Sequence, residues 1–364
     1  MLIKSKIADE LELQSSDSSC FESFSVLIDS LNKEAGLNFI GELAVEHQIK
    51  LHLRNRKLIL DASENTLEDK VSEPIFVIGL PRSGTTFLFN LLNKDQANRS
   101  PLFWEMMKPL PLVERNSLKE TVRIFRSDFI LFFKERFIPN LDDLHAIKSS
   151  SPEECLLIKV FALQSIFYFY MANTPSYLDY LSNCDTKTSY ELHHKFLSVL
   201  EVNNKPERWL LKDPSHLGNI EEILHFYPDA RFIHILRDPS ETLPSICSLT
   251  SQGRRGFSKD IDLKDLGRKT LNFWEKSNNK NEIQKKNLPS NKYTQVEYED
   301  LIDDPMGTIK DIYTNFSLTL KDCCVDDMLN YIDEGSIAAK AEHKYSLEDY
   351  GLDKTEVHNK LNYS

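Results

Sequence analysis

The chain predicts an α/β fold with a parallel, P-loop-like sheet flanked by helices, and three observations carry that expectation. Residues 74–92 run from an apolar strand through a Gly/Pro/Ser loop into a helix. Two further strand segments, 208–212 and 230–237, each lead into Asp-Pro and flank a helical stretch at 217–226. An additional strand is expected at 293–298. Strand–helix–strand connections of this length form βαβ units, whose strands are parallel. Ligands of such sheets gather at the carboxyl ends of the strands.

Taken in order, residues 1–70 show helical periodicity and little strand signal. Phe24, Leu27, Leu31 and Ala35 recur at helix spacing, Gly36 suits a C-cap, and 43–60 continues as a charged helix. Polar residues 63–72 read as a linker into the first strand at 75–78, and a helix follows from about Thr85. The division expected is an N-terminal helical segment, 1–70, and a main domain, 71–364. Prolines punctuate 101–111, so that stretch is a loop with at most a short helix. Residues 116–200 read as a mostly helical insertion. Within it, Ser151-Pro-Glu-Glu154 has the cap, proline and first-turn acids of a helix start. Residues 155–172 form the most apolar long run. Lys159, Gln164 and Ser165 interrupt it, so it predicts a buried helix rather than a membrane span.

Bulk properties narrow the function. The 364 residues are 41% hydrophobic and 27% charged, with a net charge of −12. This is a globular composition, and its sign disfavours a general nucleic-acid or anionic-membrane binder. An anionic ligand would need a local basic pocket. The six cysteines have no metal-ligand spacing. The N-terminus lacks the apolar core of a signal peptide, so reduced thiols and a cytoplasmic location are expected. Composition leaves the oligomeric state open.

Two segments carry chemistry. In Gly79-Leu-Pro-Arg-Ser-Gly-Thr-Thr86, a glycine-containing turn opens a helix. Backbone N–H groups and the positive end of the helix dipole then converge on one point, which makes an anion site. The loop departs from a Walker A sequence, because Thr85 stands where a nucleotide hydrolase has its lysine. The cation here is Arg82, inside the loop. In the second segment, a strand ends at Arg237, and Ser245 lies about two turns into the next helix. An arginine and a hydroxyl so arranged can clamp a phosphate.

Together these segments resemble sulfotransferases that use 3′-phosphoadenosine-5′-phosphosulfate (PAPS), in particular the broad family of soluble enzymes found widely in bacteria. The resemblance runs over nearly the whole chain. It rests on the loop, on Phe103-Trp-Glu105, on His145 followed by Pro152-Glu-Glu-Cys155, on Trp209-Leu-Leu-Lys-Asp-Pro-Ser-His-Leu217, and on Phe232-Ile-His-Ile-Leu-Arg-Asp-Pro239. Val296-Glu-Tyr-Glu-Asp-Leu301 and His343-Lys-Tyr-Ser-Leu-Glu-Asp-Tyr-Gly-Leu352 complete it. Asp213 is a departure, since the family more often has serine there.

The resemblance implies roles. Pro81, Arg82, Ser83, Gly84, Thr85 and Thr86 would hold the 5′-phosphosulfate, and Arg237 and Ser245 the 3′-phosphate. Arg255, beside Arg254, and His343, Lys344 and Tyr345 are further candidates for the nucleotide. Sulfuryl transfer is chiefly positioning and charge stabilisation, so Arg82 and Lys212 would meet the charge on the leaving phosphate. An acceptor hydroxyl or amine needs a base, for which Glu105 and His145 rank first and His216 next. His193, His194 and His234 read as structural. No metal is required on this reading, and the partner is a small-molecule acceptor rather than nucleic acid or membrane. The alternatives are a P-loop nucleotide kinase or hydrolase and a non-catalytic PAPS-binding protein.

Overall fold

A computed structural model describes residues 18–64, 71–137, 148–258, 260–336 and 345–363. The chain forms two compact units. One comprises Met1–Lys70, Pro101–Lys205 and Ser248–Asp262, and the other Val71–Ser100, Pro206–Cys247 and Leu263–Ser364.

The first unit is helical. Its main described helices are α1 (Ser18–Lys33), α2 (Phe39–Ser63), α3 (Phe103–Met107), α4 (Leu118–Phe137), α5 (Pro175–Asn183) and α6 (Lys187–Glu201). Helix α2 starts four residues before the expected 43 because Asn38 caps it, its side chain accepting from Gly41 N–H at 2.8 Å. Helix α6 packs along α2, and α1 along α5.

Two expectations for this unit need correction. Residues 155–172 are not one helix but a succession of Leu156–Lys159, a 3-10 turn at Val160–Ala162 and Phe167–Met171. The chain breaks at Leu163, which adopts φ +54°. A buried break exposes backbone groups that need partners. Tyr177 supplies them: its hydroxyl donates to Leu163 O at 2.8 Å and accepts from Ser165 N–H at 3.1 Å. Nor does Ser151-Pro152 open a helix. Pro152 forms an antiparallel bridge with Leu102. The carbonyls of Ser151 and Ser149 accept from Phe103 and Trp104 N–H at 3.2 and 3.1 Å. The segment is used to cap α3, and the next helix waits until Leu156.

The second unit contains a five-stranded sheet, β1 (Ile75–Gly79), β2 (Asn98–Arg99), β3 (Arg208–Lys212), β4 (Arg231–Leu236) and β5 (Tyr293–Glu297), in the order β2-β3-β1-β4-β5. Every pairing is parallel, and Ile75 stands opposite both Leu210 and Arg231. β1 and β3 are buried throughout, as central strands covered on both faces require, whereas edge strand β5 buries only Val296 fully. Strand β2 was not expected. It has two residues, too few for a hydrophobic pattern, and is held by polar contacts. Arg208 donates to Asn98 Oδ1 at 3.0 Å and Asp95 Oδ2 at 2.8 Å, and the Tyr313 hydroxyl also donates to Asp95.

Helix α7 (Thr85–Leu92) follows β1, α8 (Ile220–Phe226) lies between β3 and β4, and α9 (Pro239–Arg255) follows β4. The chain then continues through α10 (Leu263–Gln284), α11 (Tyr298–Asp303), α12 (Pro305–Asn315), α13 (Asp322–Tyr331) and α14 (Lys354–Lys360). The core joins Ile75 and Val77 of β1, Ile233 and Ile235 of β4, Leu88, Phe89, Leu91 and Leu92 of α7 and Ile309 and Ile312 of α12. No helix among the described residues is long and apolar enough to cross a membrane.

Candidate functional site

The loop between β1 and α7 is built for close approach of a ligand to the backbone. Ser83 closes it: its N–H and hydroxyl both donate to Leu80 O, at 3.3 and 2.7 Å. Arg82 and Gly84 take positive φ, +68° and +93°. For arginine that conformation is strained, and such strain persists only where surroundings impose it. Gly84 is obligatory twice over, since a Cβ there would also stand 2.7 Å from the Tyr298 ring. As N-cap of α7 it offers no side chain to the first-turn amides, which suits an anion site at the helix N-terminus.

Lys212, at the carboxyl end of β3, is buried, and its ammonium donates to Thr86 Oγ1 at 2.9 Å. Lys212 and Thr86, expected separately as site residues, are thus brought together. The next residue, Asp213, caps a turn. Its carboxylate accepts from Ser215 N–H at 2.8 Å and Ser215 Oγ at 2.7 Å, capping the 3-10 turn Pro214–His216. His216 in that turn is fully buried, and its ring meets Phe76 edge-on at 4.9 Å.

The third group lies where β4 ends. Arg237 donates through Nη1 to Arg82 O at 3.0 Å, and its guanidinium lies 4.0 Å from the Tyr298 ring centroid. Ser245 on α9 accepts from Arg82 Nε at 3.1 Å. Arg82, Arg237 and Ser245 therefore form one cluster, and the side chain of Arg82 turns toward the serine expected at the 3′-phosphate. β3, β1 and β4 are adjacent parallel strands, so Lys212, the loop and Arg237 all leave the same carboxyl edge.

Asp238 fixes this edge to the C-terminus. It caps α9 by accepting from Ser240 N–H at 2.7 Å, and it also accepts from His358 Nε2 of α14 at 2.8 Å. Lys354 lies 3.4 Å away. Burial pushes its carboxyl up, but the Ser240 hydrogen bonds and His358 outweigh that and hold it at about 2.

In the helical unit, Glu105 is buried and already engaged. Its Oε2 accepts from Leu102 N–H at 2.8 Å, and Arg115 lies 3.6 Å from Oε1. It caps α3 from the N3 position. Arg254 and Arg255 are the last two residues of α9. Arg254 is buried and donates to Phe169 O at 3.0 and 2.7 Å and to Asn173 Oδ1 at 3.2 Å. It is a packing residue, while Arg255 is exposed. His193 and His234 are buried and held neutral, each lowered to about 3 chiefly by burial, in keeping with structural roles. His145, His343 and Lys344 lie outside the described residues, and Tyr345 is half-buried.

Sequence reasoning missed three residues. Tyr298 stacks on Arg237, Glu241 pairs with it, and His358 holds Asp238. Only Glu241 had a readable signal, its i,i+4 spacing from Arg237 at a helix start.

A model described as "Sulfotransferase family" matches residues 74–322. The omega-hydroxy-beta-dihydromenaquinone-9 sulfotransferase Stf3 of Mycobacterium bovis is 27% identical over 271 residues, 71% of this chain and 66% of that protein, so the match spans just under two thirds of the relative. The crystal structure of sulfotransferase STF1 from Mycobacterium tuberculosis superimposes with a TM-score of 0.86 at 29% identity, covering 99% of this chain and 97% of that one. STF9 from Mycobacterium avium shares the fold, with a TM-score of 0.83 at 24% identity over 95% and 90% of the two chains.

Proposed function

Because the chain belongs to the sulfotransferase family, we propose that it moves a sulfuryl group from PAPS to a hydroxyl or amine of a small-molecule acceptor. The observation that carries this reading is the pairing of two cationic clusters on one sheet edge. Lys212 with Thr86 flanks the loop, and Arg237 with Arg82 and Ser245 adjoins it. One cluster suits each phosphorylated end of the nucleotide. The donor set fits an anion: guanidinium, ammonium, hydroxyls and the first-turn amides of α7.

In the transfer, the bond from sulfur to the bridging oxygen breaks and a bond from sulfur to the acceptor atom forms. The 5′-phosphate leaves with the electron pair. Lys212 meets that developing charge, and its buried setting strengthens its effect; Arg82, expected there from the sequence, has its side chain turned to Ser245 and would have to swing back to join it. Thr86 orients the ammonium. Arg237, Ser245 and the loop amides fix the nucleotide, which supplies the positioning on which such reactions depend. The acceptor's proton goes to a base, and Glu105, His145 and His216 are the residues to test. No metal is part of this reading.

The name of the curated relative specifies a hydroxylated quinone as that protein's substrate. An alcohol is therefore the first acceptor class to try here. A cytoplasmic location and a main domain at 71–364 with a helical N-terminal segment belong to the same proposal. The test is a mass-spectrometric screen with PAPS and pooled alcohols, phenols and amines, read as gain of one sulfuryl group. Transfer to an alcohol is the expected result. Magnesium-dependent ATP turnover without any sulfuryl transfer would overturn the reading.

A further inference from the structure

Arg237 is expected to grip a phosphate, yet it already holds an anion of its own chain. Its Nε and Nη2 donate to Glu241 Oε2 at 3.1 and 2.7 Å. These two donors form the edge of the fork with which arginine grasps carboxylate or phosphate. The remaining contacts leave that edge no freedom. Nη1 is committed to Arg82 O, and the planar face lies on Tyr298. The partners differ in mobility. The Arg237 side chain is 19% exposed and held from three sides, whereas that of Glu241 is 56% exposed and borne on the first turn of α9.

We propose that Glu241 is a resident competitor for the nucleotide's 3′-phosphate, a residue that sets the affinity of Arg237 for it. Resting on the PAPS reading above, the assignment gives the following sequence. The 3′-phosphate takes the Nε/Nη2 edge, the Glu241 carboxylate swings into water, and Arg237 stays fixed by Tyr298 and the loop carbonyl. The lost ion pair and the nearby carboxylate charge both weaken the nucleotide's grip. The consequence is faster release of the desulfated product, which carries the same 3′-phosphate as the donor. A nucleotide lacking that phosphate has nothing to displace Glu241 with and does not feel it.

The sign of one measurement separates this role from a structural one. If Glu241 competes, Glu241→Gln tightens binding of adenosine 3′,5′-bisphosphate. If it merely positions the guanidinium, the same change weakens binding. Partly exposed ion pairs contribute modestly, so the expected decrease in dissociation constant is about two- to fivefold. Calorimetric titration of the whole chain with adenosine 3′,5′-bisphosphate and with adenosine 5′-phosphate provides the comparison. Glu241→Ala is the second arm and should move the same way. Support requires tighter bisphosphate binding by both variants and an unchanged constant for adenosine 5′-phosphate. Unchanged or weaker bisphosphate binding by either variant overturns the proposal. Should the wild-type chain fail to prefer the bisphosphate over adenosine 5′-phosphate, the PAPS reading itself fails, and this inference goes with it.

Discussion

Arg237 is the residue whose replacement reports most directly on the proposed nucleotide site. It combines a hydrogen bond to the loop, an ion pair and an aromatic face. Hydrogen bonds to charged groups contribute about 1.5–3 kcal/mol each. Arg237→Ala should therefore weaken adenosine 3′,5′-bisphosphate binding at least about tenfold by calorimetry and leave adenosine 5′-phosphate nearly unaffected. Its neighbour Asp238 gives a pH prediction. Its carboxyl is held at about 2, below the usual 3.8, so it binds a proton more readily in the unfolded chain. Its contribution to stability is present in full above pH 4 and is lost as pH falls through 2. Thermal unfolding of wild type and Asp238→Asn should thus differ at pH 5 and converge toward pH 2. For the base, Glu105→Gln, His145→Ala and His216→Ala should each be assayed for turnover and for nucleotide affinity. A true base contributes about 10² to 10⁴ in rate without touching nucleotide binding. Glu105 has a competing role, since it caps α3 and pairs with Arg115. A loss of melting temperature as large as the loss of rate in Glu105→Gln would assign it to structure.

At the scale of elements, the break at Leu163 is the most exposed to a single change. The Tyr177 hydroxyl serves Leu163 O and Ser165 N–H in a fully buried setting. Tyr177→Phe removes both bonds without changing the ring. Unsatisfied buried groups cost about 1–3 kcal/mol, so the melting temperature should fall by several degrees. An unchanged melting temperature would mean that the break finds other partners. The same stretch marks a limit of reading helices from apolarity. Residues 155–172 are apolar enough for one helix, and no residue in them is proline or glycine. What ends the helix is a hydroxyl from α5, which local sequence cannot reveal. Pro152 makes the same point in reverse: its Ser-Pro-Glu-Glu context has every local mark of a helix start, but the backbone carbonyls there are taken by α3. By contrast β1, β3 and β4 were legible to within a residue, because central parallel strands are apolar on both faces.

For the whole molecule, the nucleotide should act as a stabilising ligand. Any ligand that binds only the folded state adds about 2.7 kcal/mol at a hundredfold excess over its dissociation constant. Adenosine 3′,5′-bisphosphate should raise the melting temperature in proportion, and adenosine 5′-phosphate should do so much less. Equal shifts would argue that the Arg237 cluster does not read the 3′ end.

By itself the sequence determined the parallel α/β fold and marked the β1–α7 loop, Arg82, Lys212, Arg237 and Ser245 as candidates for the site. Each of these depends on short-range information: an apolar strand, a glycine turn, and a helix start at fixed spacing. The tertiary structure alone decided how those charges are spent. It turned Arg82 toward Ser245, gave Arg237 a tyrosine floor, withdrew Arg254 into packing, and joined Asp238 to His358 of α14. The physical reason is that an ion pair or a stacked ring forms through space. Partners as far apart in the chain as Arg237 and Tyr298, or Arg82 and Ser245, leave no periodicity to read.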